Sequence, residues 1–180
     1  EHGGNCESGD HFAASLAAGD FNRDGFDDLV IGVPDEDGNN GEVDMGMMGL
    51  VYGAPGSPAN GGGLNIAAWQ WWWEQLLGGI SANNDHFGAA FTVGDYDGDG
   101  FDDLAVATPG NFSLVEQDGA VTVLAGNPGL LDTRYRRFVP GARGLPAPPN
   151  GQSNFGFGRA LASGDLDGNG FDDLAIGEPF

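Results

Sequence analysis

The chain has 180 residues, with 27 Asp and Glu against 6 Arg, and a formal charge of −21. That balance excludes a nucleic-acid binder, which needs a cationic surface to displace counterions from phosphate, and it favours a cation as partner. Glycine is frequent at 34 residues, yet a hydrophobic content of 40% in short runs between the glycines excludes collagen and a disordered tract.

The N-terminus lacks the basic and apolar regions of a signal peptide, and no run approaches the roughly eighteen apolar residues of a membrane span. The expectation is a soluble chain, either a mature form or an excerpt. Its single cysteine, Cys6, allows no internal disulfide, supports no zinc site, and has no histidine partner nearby that would make it a nucleophile.

From residue 10 onward the chain repeats itself. DHFAASLAAGD (10–20) leads into the acidic stretch DFNRDGFDD (20–28) and then DLVIGVP (28–34). The same three parts recur as DHFGAAFTVGD (85–95), DYDGDGFDD (95–103) and DLAVATP (103–109), and again as NFGFGRALASGD (154–165), DLDGNGFDD (165–173) and DLAIGEP (173–179). Each flank is a short apolar run closed by Gly or Pro, which predicts a strand, so the acidic stretch joins two antiparallel strands. Third strands are predicted at 42–52 (EVDMGMMGLVY) and 119–125 (GAVTVLA), and fourth strands at 67–73 (AAWQWWW) and 134–139 (RYRRFV). Helix has little room, because Gly or Pro interrupts nearly every window; the best candidate, 66–77, carries three β-favouring tryptophans. The fold class is therefore all-β, with four-stranded antiparallel blades of the β-propeller type. The chain is one repeat region, 1–180, with blade 1 at about 10–78, blade 2 at about 85–145 and a partial blade 3 at about 154–180.

The acidic stretches have the pattern of cation loops. Positions 1, 3, 5 and 9 are Asp95, Asp97, Asp99 and Asp103 in the second loop, with Gly100 at the turn and the carbonyl of Phe101 at position 7. The first loop offers Asp20, Asn22, Asp24, Phe26 and Asp28, and the third Asp165, Asp167, Asn169, Phe171 and Asp173. Alternating oxygens around a sharp glycine turn suit a hard cation, and Ca2+ is the expected ion at three sites. Asn replaces Asp only where a neutral oxygen still coordinates. The pattern is not an EF-hand, whose twelfth position is a bidentate Glu, because Ile31, Val106 and Ile176 stand there. Without a counter-cation such carboxylates repel one another. The position-8 acids, Asp27, Asp102 and Asp172, are expected to point away from the ion. The second loop, with four ligand carboxylates, is expected to bind most tightly.

These residues resemble the FG-GAP repeat family, found in the propeller of integrin alpha subunits and in secreted bacterial proteins. Phe87-Gly88 and Phe155-Gly156 match its Phe-Gly signature, with Phe12-Ala13 carrying alanine. Gly32-Val-Pro34, Ala107-Thr-Pro109 and Gly177-Glu-Pro179 match its Gly-Ala-Pro signature loosely. The stretch at 119–126 is similar to the family's third strand and 57–71 to its link to the fourth, whereas 42–53 departs from the usual β-branched run. The resemblance implies a propeller fold, calcium between the first and second strands, and binding or adhesion in place of catalysis. Family propellers usually have seven blades. Two full repeats and a half therefore imply either a piece of a longer polypeptide or blades completed by other chains through open edges.

Other residues have plainer readings. His11 and His86 occupy matching places, with Asn154 in the third copy, and a turn hydrogen bond is expected for them. Trp69, Trp71, Trp72 and Trp73 pack between blades, or form a sugar-stacking platform or an interface anchor; consecutive tryptophans on a strand cannot all share one face. Arg134, Arg136, Arg137 and Arg143 are expected to pair with acids of an adjacent blade or subunit. Asn111-Phe-Ser113 fits a glycosylation triplet. No Ser-His-Asp or Cys-His set and no carboxylate pair outside the loops is present, so no enzyme is expected. The leading reading is an extracellular, calcium-binding module for adhesion or surface assembly, with other protein chains or carbohydrate as partners and neither nucleic acid nor membrane. The alternatives are a self-assembling filament or surface-layer subunit and an accessory region of a secreted hydrolase.

Overall fold

The computed structural model describes residues 7–55, 63–110, 119–129, 131–132, 135–142, 144–145 and 156–178. Cys6, Asn111 to Ser113, Arg134, Arg143, Asn154 and Phe155 lie outside these.

Ten strands form three antiparallel sheets among the described residues. The first sheet runs β1 (Ser15–Gly19), β2 (Asp28–Val33), β3 (Met47–Gly53), β4 (Leu64–Trp72). The second repeats that order with β5 (Phe91–Gly94), β6 (Asp103–Thr108), β7 (Ala120–Leu124) and β8 (Tyr135–Phe138). The third has β9 (Ala160–Gly164) and β10 (Asp173–Gly177). One short 3-10 turn, Glu74–Leu77, follows β4. This is the all-β, meandering four-stranded pattern that the repeats predict. The first strands of the three sheets, β1, β5 and β9, lie side by side.

The boundaries differ from expectation in β3, which begins at Met47 and not at residue 42. Residues before it are taken up by a loop in which Asp44 and Gly46 adopt positive φ, of 51° and 77°, so the chain cannot stay extended there. β4 begins earlier than expected, at Leu64, and pairs with β3 through a register shift between Val51 and Gly53.

Alternation along the strands explains the core. β6 is buried over its whole length because it has a sheet on either side. Leu104 and Val106 face the first sheet, where they join Phe21, Val30, Met48, Leu50, Trp72 and Phe87. Ala105 faces the third sheet, with Val121, Phe157, Leu161, Leu174 and Ile176. Gly19 permits the close approach of the first two sheets: a Cβ there would meet Val93 at 2.6 Å and Asp102 at 2.9 Å. Gly94 does the same against Asp172, at 2.8 Å.

The tryptophans divide between faces. Trp72 is buried between the first two sheets, while Trp69 and Trp71 lie with ring centroids 5.1 Å apart over Gly49. Packing between blades thus describes Trp72. No helix of the described residues is long and apolar enough to cross a membrane.

The third copy corrects one motif register. Phe87 and Phe157 are both buried between sheets, and Gly88 and Gly158 after them share φ near +90°, with Ala13 at 62°. The Phe-Gly pair of the third repeat is therefore Phe157-Gly158, two residues beyond the one read from the sequence. The partner of His11 and His86 in that copy is accordingly Gly156.

Candidate metal centres

Each acidic loop hangs from a hairpin closed at the same pair: Gly19 with Asp28, Gly94 with Asp103, Gly164 with Asp173. Within it, the position-1 carboxylate accepts two turns of backbone N–H. Asp20 accepts from Asp24 and Gly25, both at 2.9 Å. Asp95 accepts from Gly98 at 2.7 Å, Asp99 at 3.1 Å and Gly100 at 3.0 Å, and Asp165 accepts from Asn169 and Gly170, both at 3.0 Å. Positions 3 and 5 each cap the amide two residues on, as Asn22 and Asp24 do at 2.9 and 3.0 Å. Asp97, Asp99, Asp167 and Asn169 repeat this in the other copies. Three sequences that differ at several positions thus build one network. Asn serves wherever only a carbonyl oxygen is used.

Position 6 requires positive φ, and Gly25, Gly100 and Gly170 have 89°, 85° and 90°. Position 4 requires it too: Gly98 and Gly168 comply without strain, whereas the first copy places Arg23 there at 57°.

The loops bring acids together at two places. Asp95, Asp97 and Asp99 have ligand oxygens within 4.8 Å of one another, as do Asp165, Asp167 and Asp173. Asp103 lies beside the first of these groups, with its oxygens accepting Gly126 N–H at 2.9 Å and Tyr96 N–H at 3.0 Å. The first loop forms no three-carboxylate group among the described residues; its position 3 is the neutral Asn22. Phe26, Phe101 and Phe171 follow the glycine turn in each copy, and their amides bond back to position 5.

Two of the position-9 acids, Asp28 and Asp103, are buried. Burial pushes the Asp28 carboxyl up to about 6, against lowering by the Gly53 amide and with further raising by Asp24 and Asp20. Its Oδ1 accepts Gly53 N–H at 2.8 Å. Its buried Oδ2 makes no hydrogen bond, although the Phe21 amide is close enough to favour the charged form. Burial likewise pushes Asp103 up to about 6, with Asp97 and Asp99 adding to the effect and the Gly126 and Tyr96 amides opposing it. Asp28, with its orphaned oxygen, lies near Asp20 and Asp24, and Asp103 near Asp97 and Asp99, oxygen-rich surroundings whose chemistry suits a hard divalent cation.

Sequence reasoning expected the position-8 acids to point away from the ion but named no partner for them, and it gave no role to Arg23 or Asp35. Asp102 and Asp172, at position 8, turn away from their own loops and reach the preceding one. Asp102 Oδ2 accepts Asp20 N–H at 2.8 Å, and Asp172 Oδ2 accepts Asp95 N–H at 3.0 Å. Their signal was an acid at position 8 in every copy. Arg23 crosses the boundary in the other direction, donating to the Asp99 carbonyl at 3.1 Å with its guanidinium 5.6 Å from the centre of the Phe101 ring. At the far end of the sheets Asp35 holds both matching histidines. His86 Nδ1 lies 2.6 Å from its Oδ1, and His11 Nδ1 meets its Oδ2. A turn hydrogen bond was the expectation, but the shared acceptor was not visible. Arg137, on β8, pairs with the buried Glu74 of the 3-10 turn after β4 and donates to Thr122 at 3.2 Å, so one of the clustered arginines does meet an adjacent blade's acid.

A model of the FG-GAP repeat matches residues 12–44, 87–124 and 157–180, just over half of the chain, and its three segments start at Phe12, Phe87 and Phe157. The chain is 32% identical to integrin alpha-5 of Xenopus laevis over 93% of its own length and 14% of that protein's. It is 32% identical to integrin alpha-PS5 of Drosophila melanogaster, covering 95% and 15%, and 31% identical to integrin alpha ina-1 of Caenorhabditis elegans, covering 95% and 15%. The chain thus spans about one seventh of the length of these relatives.

Proposed function

The chain belongs to the FG-GAP repeat family, and on that footing we propose that it is a non-catalytic, calcium-stabilised propeller-blade module of an extracellular adhesion or surface-assembly protein. The single observation that carries this reading is one hydrogen-bond network repeated in three loops of different sequence, with carboxylates drawn together in the second and third. The proposed ligands are Asp20, Asn22, Asp24 and Asp28 with the Phe26 carbonyl; Asp95, Asp97, Asp99 and Asp103 with the Phe101 carbonyl; and Asp165, Asp167, Asn169 and Asp173 with the Phe171 carbonyl. Blades 1, 2 and 3 are assigned to about 10–78, 85–145 and 154–180. Bound calcium would neutralise each ring and pin the hairpin that opens each blade, contributing about 1.4 kcal/mol per site at tenfold excess over the dissociation constant. Calorimetric titration of chelator-treated protein is expected to give three calcium ions per chain and a raised melting temperature; no binding at millimolar calcium would refute the reading.

A second reading, self-assembly with blades completed between chains, is favoured by one comparison. Phe87 is 0% exposed against the preceding sheet, while its counterpart Phe12 is 61% exposed beside an equally bare Leu16. At the other end Leu166, the counterpart of the buried Phe21, is 76% exposed. Mass measurement with and without chelator tests it, and a monomer under both conditions would remove it.

A further inference from the structure

Three charged side chains come together where the first two sheets meet, and the two acids among them are buried. Glu74 opens the 3-10 turn after β4, and its side chain is 1% exposed. Asp85 stands in the segment that leads into β5 and is 0% exposed. Arg137, on β8, pairs with Glu74 Oε1 and is steadied by donating to the Thr122 hydroxyl at 3.2 Å. Asp85 is tied to the backbone twice: its Oδ2 accepts Ala82 N–H, and its carbonyl accepts Gly110 N–H at 3.1 Å, just beyond β6.

The Asp85 carboxyl is also hydrogen-bonded to the Glu74 carboxyl. An ionised carboxylate only accepts, so a bond between two of them requires a proton on one. With that proton the pair carries a single negative charge, which Arg137 offsets. Without it, two negative charges face one guanidinium in a site closed to water, and neither is fully compensated.

The charged groups acting on Glu74 are Asp85, from the segment before β5, and Arg137, from β8. His86, next in the chain to Asp85, is turned instead to Asp35, at 2.6 Å. Burial is the largest influence on the Glu74 carboxyl and pushes it up to about 7; Arg137 opposes this and Asp85 adds to it. The turn that carries Glu74 is the part able to give: it is four residues long, and Trp73 before it provides no side-chain cap.

We propose that Glu74 and Asp85 hold one proton between them beside Arg137, and that this proton latches the seam between the first and second blades. Protonated, the cluster is neutral and ties the exit of blade 1 to the entry and the last strand of blade 2. Deprotonated, it holds a surplus negative charge, and the turn at 74–77 loosens. The sign follows from the raised carboxyl: the latch is complete below about 4.5, the ordinary glutamate value, and is lost as pH rises through about 7. It does not depend on a cation in the acidic loops.

Carboxyl 13C NMR of the full chain should show a glutamate side chain that titrates near pH 7 and is missing from Glu74→Gln. Glutamine reproduces the protonated state, because its oxygen accepts from Arg137 and its amide donates to Asp85. Hydrogen exchange, corrected for its intrinsic pH dependence, should show protection of the Ala82 and Gly110 amides falling about tenfold between pH 6 and 8.5 in the parent protein, and staying level in Glu74→Gln. Asp85→Asn keeps an acceptor for Ala82 and removes the like charge, so Glu74 should then titrate about one pH unit lower. The proposal is overturned if Glu74 titrates only below pH 6 in the parent, if Asp85→Asn leaves its titration in place, or if Glu74→Gln loses protection with pH as the parent does.

Discussion

Asp172 and Asp95 bond to each other twice across the boundary between the second and third sheets. The Asp172 carboxylate accepts the Asp95 amide at 3.0 Å, and the Asp172 amide donates to the Asp95 carbonyl at 3.0 Å. Asp102 and Asp20 repeat the arrangement one boundary earlier, at 2.8 and 3.4 Å. Position 1 of the first and second acidic loops is therefore held by position 8 of the loop that follows. Because both acceptor and donor are partly withdrawn from water, Asp102→Ala should cost about 1–2 kcal/mol in urea unfolding, with Asp102→Asn milder since its amide oxygen still accepts. Asp27→Ala, at the same position in the first loop but exposed, should be nearly neutral.

Equivalent phenylalanines should differ just as sharply. Phe87→Ala removes a ring that is wholly buried between two sheets, and should destabilise by about 3–5 kcal/mol. Phe12→Ala, at the first copy of the same position, should change unfolding of the isolated chain by less than about 0.5 kcal/mol. Equal losses at the two sites would mean that Phe12 is covered in solution.

Arg23 modifies the expectation that the second loop binds calcium most tightly. Its guanidinium is bonded to the Asp99 carbonyl, so a fixed positive charge sits beside the loop richest in carboxylates. Arg23→Gly, the residue found at this turn in the other two copies, should strengthen calcium binding at the second loop about two- to threefold, the scale of an exposed charge pair. It should also relieve the positive φ at position 23. Site-resolved NMR titration would check both, since the signals of residues 95–103 should change their midpoint along with those of 20–28, the loop that holds Arg23, while those of 165–173 stay unchanged.

Glu36 sets a pH dependence whose sign is fixed. Its folded pKa is raised, so the native state holds a proton that the unfolded chain releases above about 4.5, the ordinary glutamate value. Its contribution to stability is present below that value and is lost as pH rises through the folded one. Melting curves from pH 4 to 7 should therefore fall less steeply for Glu36→Gln than for the parent protein. An unchanged slope would show that Glu36 does not carry it.

Much of this was legible in the sequence because position-specific repeats constrain the backbone directly. Asp, Asn and Gly at alternating positions point to a tight turn, and apolar flanks that end in Gly or Pro point to short strands. The acids were read as cation ligands, and their capping of the loop's own amides emerged only with the fold. What escaped was whatever depends on a neighbour far along the chain. Nothing local distinguishes Asp172 from a solvated acid until Asp95 stands beside it, and Asp35 takes its meaning from two histidines that belong to different repeats. The start of β3 escaped for a different reason. Glu42 to Gly46 alternates like a strand, but positive φ at Asp44 and Gly46 closes a loop there.

The exchange between positions 8 and 1 also bears on how such a chain could change its length. Both seams among the described residues are stitched by the same two places in the motif, so removing one blade entire would leave ends that still fit, and inserting one would add a seam of the same kind. Growth and shortening by cassette, with no repair at the junction, follow from where two aspartates point.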